Sequence, residues 1–382
     1  MPKEASRLPT VPVVVIAPDS FKGSLSGQEV ADAIASGVRR ARPDAEIRIC
    51  PMADGGEGTL DAMLAAGGER RVINFRGAAG HRRDAITGLL DDGSAIVETA
   101  EIVGITDDVG MSVRVTERCT LGMGDAIRHL LDSGVRKFYV ALGGSSTNDA
   151  GAGLLVGLGL KLFDADGNPL EPVPARLADI ARIDASGLDP RLRQTEFIAM
   201  SDVDNPLNGD HGATAIFGPQ KGVASEQITE VDNALAHFAR LLETALGRSA
   251  RDEPGAGAAG GLGFALRMLG GRFNPGAEVV AQKVGLDAAL EGANWLITGE
   301  GRSDVQTLHG KAPFIACQHA RLRGVPATLL SGAIDANALP QLSAHFSGCF
   351  SPAPGPITLE VAIRDAARLL ANEAEQLTHL KF

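Results

Sequence analysis

A chain of 382 residues is longer than one ordinary hydrophobic core supports, so two domains are expected. Apolar residues make up 44% of the chain and charged residues 22%, which is the balance of a globular protein in water. The net charge of −11 argues against nucleic-acid binding, because a phosphate backbone requires a basic protein face.

The start of the chain and its cysteines indicate a cytoplasmic protein. The segment MPKEASRLPT, residues 1–10, has neither the apolar stretch of a secretion signal nor a twin arginine. The four cysteines form no C-x-x-C pair, so no zinc site is indicated, and free thiols suit a reducing compartment. The apolar runs are shorter than the roughly 18 residues of a membrane span, so we expect no membrane partner.

Strands and helices alternate at the start of the chain. Residues 11–17 form an apolar strand, and the capping box SGQE at residues 26–29 predicts the helix that follows. A second strand is expected over residues 46–52. The segment ADGGEGT, residues 53–59, then leads into a short helix. This β-α-β-α order is typical of parallel strands with right-handed crossovers.

The middle of the chain mixes hairpins with helices. Residues 84–100 alternate in polarity and turn at Asp92 and Gly93, as in a β-hairpin. A helix is predicted over residues 121–132 and a strand over 137–142. A second tight turn follows within residues 159–170, and a long helix is predicted over 225–246.

The C-terminal part returns to the pattern of the N-terminal part. Strands are predicted over residues 294–298 and 325–331, with a helix over 312–323 between them. A final amphipathic helix is predicted over residues 358–377. We therefore predict an α/β fold of two domains. A doubly wound, mostly parallel, Rossmann-like sheet is built from residues 1–75 and 285–382, and residues 76–284 form an inserted mixed α/β domain. The stretch 120–160 also fits the first domain.

Five loops combine glycine with acids, hydroxyls or lysine, and each follows a predicted strand or opens a helix. In parallel α/β folds ligands bind beyond the carboxyl ends of the strands, so such loops converge on one cleft. One loop of this kind also fits an ordinary turn, but five together indicate a shared site. They are residues 17–26, 53–59, 143–153, 201–206 and 299–304.

The loop GGSSTNDAGAG, residues 143–153, has the features of a phosphate site. Gly143 and Gly144 leave backbone N–H groups free to face an anion, and the hydroxyls that follow add donors. No lysine follows at the spacing of a P-loop. A capped helix start, with glycine for packing, is the alternative interpretation.

The segment GAGAAG, residues 255–260, matches G-x-G-x-x-G, but no strand precedes it as a dinucleotide fingerprint requires. It is either a glycine loop that closes over a nucleotide or part of a flexible linker over residues 250–261. The match also suggests an alternative function, that of a nucleotide-binding oxidoreductase, in which Glu278 would bind the ribose.

Carboxylates in the loops suit Mg²⁺, which takes hard oxygen ligands in phosphoryl transfer. Taken singly, each acid also fits a helix N-cap or a solvated turn. The candidate cations for the developing charge are Lys22 and Lys311. The candidate acids are Asp54, Glu57, Asp202, Asp204, Glu300 and Asp304.

Seven motifs appear in a fixed order: IAPDSFKGSLS, PMADGGEGT, ALGGSSTNDAGAG, SDVDNPLNG, FGPQKG, GAGAAGGLG and LITGEGRSDVQTLHGK. Together they resemble the bacterial glycerate kinase family of glyoxylate and glucarate metabolism, over residues 12–375. The resemblance implies ATP-dependent phosphorylation of D-glycerate, a Mg²⁺ requirement and two α/β domains with a cleft between them. Members of this type are associated with 2-phosphoglycerate. Ser303 and Val305 stand where Leu or Phe and Gly or Ser would be expected.

The resemblance also implies roles for individual residues. The catalytic candidates are Asp19, Lys22, Asp54, Asp202 and Lys311. The substrate-binding candidates are Ser20, Ser24 and Asn205. The nucleotide-binding candidates are Gly143, Gly144, Ser145, Ser146, Thr147, Asn148, Asp149, Gly257, Gly260 and Gly261. The metal candidates are Glu300, Asp304 and Glu57. The alternatives are a glycerate 3-kinase, an oxidoreductase and a non-catalytic glycerate sensor, as a monomer or a homodimer.

Overall fold

The computed structural model describes residues 11–382, so the prediction about a secretion signal in residues 1–10 lies outside it. None of the helices in the described residues combines the length and hydropathy needed to cross a membrane. The strands are, in chain order, β1 (Val13–Ile16), β2 (Glu46–Ile49), β3 (Glu69–Arg76), β4 (Arg82–Leu89), β5 (Ala95–Glu98), β6 (Lys137–Ala141), β7 (Lys161–Phe163), β8 (Arg182–Asp184), β9 (Glu196–Met200), β10 (Arg272–Asn274), β11 (Trp295–Thr298), β12 (Arg302–Ser303), β13 (Ala327–Leu330), β14 (Ala333–Ile334) and β15 (Gly348–Phe350).

The helices alternate with these strands along most of the chain. They are α1 (Gly27–Ala41), α2 (Thr59–Ala65), α3 (Thr99–Val103), α4 (Asp108–Met111), α5 (Leu121–Asp132), α6 (Ala152–Gly157), α7 (Pro174–Leu177), α8 (Ala213–Phe217), α9 (Ile228–Leu246), α10 (Ala258–Met268), α11 (Gly276–Lys283), α12 (Leu286–Ala289), α13 (Ala312–Leu322), α14 (Leu339–Leu342), α15 (Leu359–Arg364) and α16 (Ala366–Lys381).

The chain forms two compact units, and the first is discontinuous. Within the described residues, the first unit comprises 11–54, 61–66 and 277–382, and the second comprises 55–60 and 67–276. The main junctions fall near residues 66 and 276, earlier than the predicted 75 and 285. The first junction is earlier because β3 pairs along its whole length with β4 and so belongs to the sheet of the second unit.

The first unit contains a five-stranded sheet with the order β15-β13-β11-β1-β2. All its neighbouring strands are parallel, and Val14 of β1 pairs with Trp295 of β11. The doubly wound parallel sheet predicted from the two ends of the chain is therefore confirmed. Its strands are short, and the central ones are buried on both faces, as parallel strands between helices are.

Helix α1 follows its sequence signals closely. Ser26 and Glu29 form the predicted capping box, in which the Glu29 carboxylate accepts from the Ser26 N–H at 2.8 Å. The buried face of α1 packs against α16, and the two backbones come very close at Gly37. A Cβ at Gly37 would lie 2.1 Å from the carbonyl oxygen of Ala371, so only glycine fits there.

The second unit contains a mixed sheet with the order β10-β9-β6-β5-β4-β3. Strands β5, β6, β9 and β10 are parallel, while β4 pairs antiparallel with β3 and β5. The predicted hairpin turn is present, with Gly93 at a φ of +79°. Residues 120–160 supply α5, β6 and α6 to this unit, and Phe138 of β6 stacks on Phe197 of β9 with ring centres 5.4 Å apart.

Two predicted segments differ from the structure. The last helix, predicted over residues 358–377, is divided at Asp365 into α15 and α16. The flexible linker predicted over residues 250–261 is wrong, because α10 begins inside it and its glycines pack against other backbone. A Cβ at Gly260 would lie only 2.0 Å from the carbonyl oxygen of Thr147.

Candidate active site

The strand order of the first unit indicates where a ligand can bind. From β1 the chain crosses to β2 on one side, while β11, β13 and β15 follow on the other side. In open α/β sheets ligands bind beyond the carboxyl ends of the strands where the order reverses, here between β1 and β11. The loops that leave these two strands are residues 17–26 and 299–304, two of the five polar loops.

A cavity of about 400 Å³ lies among these loops, and we name it the first cavity. Its apolar lining includes Leu359, Ala362 and Ile363 around α15. The cavity brings together most of the predicted catalytic residues, both predicted substrate-binding serines and one predicted metal ligand. The polar lining consists of Asp19, Ser20, Lys22, Ser24, Asp54, Glu300, Arg302 and Lys311.

Asp19 is the buried acid of the first cavity, with 5% of its surface exposed. Its backbone N–H donates to the Gly299 carbonyl at 2.8 Å, and its Oδ1 accepts from the Ser20 N–H at 2.6 Å. Burial raises the pKa of the Asp19 carboxyl well above its usual range, and the nearby acids Asp54 and Glu300 raise it further. This carboxyl therefore holds its proton to higher pH than an ordinary aspartate.

Glu300 is held firmly at the other side of the first cavity. Its Oε1 accepts from the Ser303 hydroxyl at 3.0 Å and the Thr307 hydroxyl at 2.6 Å, and its Oε2 lies 3.3 Å from Lys311 Nζ. The carboxylate therefore fixes the Lys311 ammonium at the cavity. Ser303, one of the two departures from the family pattern, contributes a hydroxyl to this arrangement and also contacts the Ser331 hydroxyl at 2.8 Å.

Two other predicted residues of the first unit have structural partners. Asp304 does not line the first cavity, and its Oδ1 accepts from the Gln306 N–H at 2.8 Å as the N-cap of a 3-10 helix. Asp304, a predicted metal ligand, therefore caps a helix, which was the alternative interpretation for each acid. The Ser24 hydroxyl donates to the Ile363 carbonyl at 3.1 Å and connects the 17–26 loop to α15.

A second cavity, of about 290 Å³, lies in the second unit beyond the carboxyl ends of β6 and β9. Gly143, Gly144 and Ser145 line it after β6, and Ser201 lines it after β9. Lys221 contributes the cation. The apolar lining comes from Ile105, Leu142, Val203, Phe217, Ala258 and Ala259.

Lys221 has only 2% of its surface exposed. Its Nζ donates to the Ser145 hydroxyl and to the Thr147 carbonyl, each at 2.8 Å. Burial lowers the pKa of the Lys221 ammonium to about 7; Asp149 opposes this shift and Arg118 adds to it. Lys221 lies in the motif FGPQKG but was not among the predicted site residues; the signal in the sequence was a lysine within a motif bounded by glycines.

The rest of the 143–149 loop is buried and maintains the shape of the loop. Asp149 accepts from the Thr120 N–H and hydroxyl, each at 2.8 Å, and burial raises the pKa of its carboxyl. The Ser146 hydroxyl donates to the Val103 carbonyl at 2.9 Å. Asn148 and Thr147 are also fully buried and do not line the second cavity.

The predicted nucleotide-binding glycines of residues 257–261 serve backbone packing. A Cβ at Gly257 would lie 2.3 Å from the Pro206 carbonyl oxygen, and one at Gly261 would lie 2.5 Å from the Ala150 Cα. The Ala150 N–H donates to the Gly260 carbonyl at 3.0 Å. Gly260 and Gly261 therefore join α10 to residues 147–150, while their neighbours Ala258 and Ala259 line the cavity.

The remaining predicted residues lie in the second unit. Asn205 donates from Nδ2 to the His211 carbonyl at 2.7 Å, and Asp202 lies between two residues that line the second cavity. Glu57 is exposed and belongs to the second unit, whereas Glu300 and Asp304 belong to the first. Within residues 11–382, no three His, Cys, Asp or Glu side chains form a group that could hold a metal ion.

Comparison with known proteins identifies the family of the chain. Residues 14–381 match the model of the glycerate kinase family. The chain is 42% identical to the glycerate 2-kinase of Escherichia coli (strain K12) over 84% of this chain and 85% of that protein. It is 38% identical to the glycerate kinase of Halalkalibacterium halodurans over 95% and 97%.

A solved structure agrees with these relatives. A crystal structure from Salmonella typhimurium LT2, described as a candidate glycerate kinase 2, matches 97% of this chain and 98% of that chain with a TM-score of 0.86 at 39% identity. The predicted enzyme class is confirmed, because the relatives are phosphotransferases. The residues that form the two cavities thus stand in an enzyme that belongs to the glycerate kinase family.

Proposed function

We propose that this protein transfers the terminal phosphoryl group of ATP to D-glycerate and forms 2-phosphoglycerate. The observation that carries the proposal is the first cavity, which is lined by the buried acid Asp19, by Asp54 and Glu300, and by the cations Lys22 and Lys311. A kinase requires a base for the attacking hydroxyl and positive charge for the phosphoryl group. Both kinds of group are present at the carboxyl end of the sheet.

Asp19 is the proposed general base. It accepts the proton of the glycerate hydroxyl as the new O–P bond forms, while the P–O bond to the leaving ADP breaks. Its raised pKa brings proton exchange closer to neutral pH, where a base is most effective. The Ser20 N–H, at 2.6 Å from Oδ1, fixes the carboxyl group.

The cations of the first cavity are proposed to bind the two anions that react. Lys22 and Arg302 are exposed at the cavity and suit the glycerate carboxylate or the transferred phosphoryl group. Lys311 is oriented by Glu300 and so offers a fixed positive charge. Fixed charges of this kind stabilise a transition state without reorganisation.

Mg²⁺ fits the first cavity, because the residues that line it supply carboxylate and hydroxyl oxygens and include neither cysteine nor histidine. Asp54 and Glu300 are the residues that would hold the ion, with phosphate oxygens and water as the other ligands. When bound, the ion neutralises charge on the phosphates.

The nucleotide is proposed to bind at the second cavity. Gly144 and Ser145 suit a phosphate chain, whereas the Gly143 N–H, predicted to face the anion, donates to the Gly55 carbonyl at 3.0 Å. Ile105, Leu142 and Phe217 offer apolar surface for other parts of the nucleotide. Phosphoryl transfer requires donor and acceptor to meet in line, so the cleft between the domains that the sequence predicts is part of this proposal.

The 2-phosphate product is proposed from similarity to the Escherichia coli protein named glycerate 2-kinase. D-Glycerate offers a secondary hydroxyl at C2 and a primary hydroxyl at C3. Phosphorus NMR of the product distinguishes the two esters. A primary-ester signal would replace this assignment by a glycerate 3-kinase.

A coupled ADP-release assay tests the proposal. ADP should appear only when ATP, D-glycerate and Mg²⁺ are all present, and EDTA should stop its release. A glycerate sensor would bind glycerate in a thermal-shift experiment without releasing ADP, and this result would refute the proposal. Turnover that continues without any divalent ion would refute the metal assignment alone.

The reaction is proposed to take place in the cytoplasm. The cysteines of the described residues are all free thiols, and Cys50, Cys119 and Cys317 are buried. Buried free thiols are compatible with the reducing conditions of that compartment.

A further inference from the structure

Lys221 is a buried lysine, and within residues 11–382 its hydrogen-bond acceptors include no carboxylate. It ends the 3-10 helix Pro219–Lys221 and lines the second cavity. Its acceptors, the Ser145 hydroxyl and the Thr147 carbonyl, are both neutral. The charged groups that act on it are Asp149, which favours the ammonium, and Arg118, which opposes it. The Asp149 carboxylate is already enclosed by backbone N–H and hydroxyl donors.

An anion in the second cavity would complete the surroundings of Lys221. An ammonium has three N–H donors, and two of them are directed to Ser145 and Thr147. Without a counter-charge a desolvated ammonium tends to lose its proton, and an adjacent anion restores the charged form. A phosphate oxygen in the cavity would supply both the missing acceptor and the missing charge.

We propose that Lys221 binds the phosphate chain of the nucleotide in the second cavity and takes up a proton when it does so. The choice of a nucleotide as the anion rests on the proposed function. The location of the lysine supports this choice, because Gly144 and Ser145 of the predicted phosphate loop line the same cavity, and the Ser145 hydroxyl accepts from Lys221 Nζ at 2.8 Å.

Arg118 acts on this subsite as a positioning residue. It has 2% of its surface exposed and does not line the cavity. Its Nη1 donates to the Ser146 carbonyl at 3.0 Å, and its Nη2 donates to the Lys221 carbonyl. Arg118 therefore holds the 143–149 loop and the Pro219–Lys221 helix in place, while its charge favours the neutral form of Lys221 until an anion binds.

Calorimetric titration of the full protein with ADP at pH 8, in two buffers of different ionisation enthalpy, tests the proposal. With a pKa of about 7, Lys221 is mostly neutral at this pH, so the parent should take up close to one proton per ADP. The terminal phosphate of ADP contributes little, because its second pKa is about 6.

Substitutions of Lys221 separate its charge from its titration. Lys221→Arg keeps a positive charge that does not titrate, so it should bind ADP without proton uptake. Lys221→Met should bind ADP about 10- to 100-fold more weakly, as expected for loss of a charged hydrogen bond. The control Lys161→Met removes an exposed lysine of the second unit and should keep both the affinity and the uptake.

The outcomes distinguish this inference from the proposed function. Proton uptake in Lys221→Arg equal to that of the parent would overturn the inference, even if Lys221→Met does not fold. If Lys221→Met raised the KM for glycerate but not that for ATP, the inference would also be overturned, and Lys221 would be assigned to the glycerate carboxylate. A parent that binds ADP with proton uptake but does not phosphorylate glycerate would refute the proposed function and leave the phosphate subsite standing.

Discussion

Asp19→Asn should remove activity and at the same time stabilise the protein. The carboxyl is buried beside Asp54 and Glu300, so its ionised form is disfavoured in the folded state. Asparagine keeps an oxygen that can accept the 2.6 Å hydrogen bond from the Ser20 N–H, but it carries no charge. The substitution therefore removes a repulsion without removing the contact.

The sign of the effect depends on pH. Because the folded-state pKa of Asp19 is raised above its unfolded value near 3.9, ionisation favours the unfolded chain. The contribution of the protonated Asp19 carboxyl to the free energy of unfolding is fully present below about pH 4. It is lost as pH rises through the folded-state pKa. At pH 8, Asp19→Asn should therefore have a larger free energy of unfolding than the parent, because the folded parent must either keep a proton on Asp19 or bury its charge.

Two measurements check this prediction. The melting temperature of Asp19→Asn at pH 8 should exceed that of the parent, and the difference should vanish near pH 4. Loss of a general base should lower kcat about 100- to 10,000-fold. The control Asp44→Asn, at an exposed acid paired with Arg42, should leave kcat unchanged and bring no stabilisation. A variant with parental turnover, or with a lower melting temperature at pH 8, would contradict the reasoning.

Three further predictions concern other contacts of the first unit. Lys22→Met should melt near the parental temperature but lose about 100- to 1,000-fold in kcat, because it removes one charge at the reacting group; parental kcat would make residues 17–26 a connecting loop. Ser303→Ala should lower kcat about 10-fold with little change in the KM for ATP, since Glu300 loses one hydroxyl donor, and an unchanged kcat would show that Thr307 and Lys311 suffice. His319 lies between Asp287 and Glu278; burial lowers its pKa, but the hydrogen bonds to both acids outweigh burial and raise it. The stability that His319→Ala loses should therefore be largest near pH 5–6 and decrease as pH rises above about 6.5, and a loss that grows from pH 6 to 8 would contradict this assignment.

The sequence predicted the parts of the site whose signals are local. Asp19 and Lys22 follow an apolar strand directly, and parallel strands bring such loops to one edge, so Glu300 could be grouped with them across 281 residues of sequence. The first cavity contains these residues together. The capping box of α1 was equally local.

The sequence did not reveal features that depend on distant packing. Nothing in FGPQKG shows that Lys221 is buried, since lysine is usually exposed. The glycines of GAGAAG suggested a nucleotide loop or a linker, but Gly260 contacts Thr147 and Ala150, more than a hundred residues earlier. The sequence allowed Asp304 to be either a metal ligand or a helix N-cap but could not distinguish the two roles, because a carboxylate in a glycine-containing loop suits both.

The discontinuous first unit has a consequence for the order in which the protein folds during synthesis. Strand β1 leaves the ribosome early, but its partner β11, paired through Val14 and Trp295, is made some 280 residues later. Residues 67–276 are nearly all of the second unit and can fold as they emerge. We therefore expect the apolar edges of β1 and β2 to stay exposed until the last hundred residues have been synthesised. Non-local pairing of this kind is slow and prone to aggregation. Chaperones should accordingly act mainly on the first unit, and a ribosome stalled after residue 276 has emerged, but before β11 has, should carry a folded second unit and an incomplete first sheet.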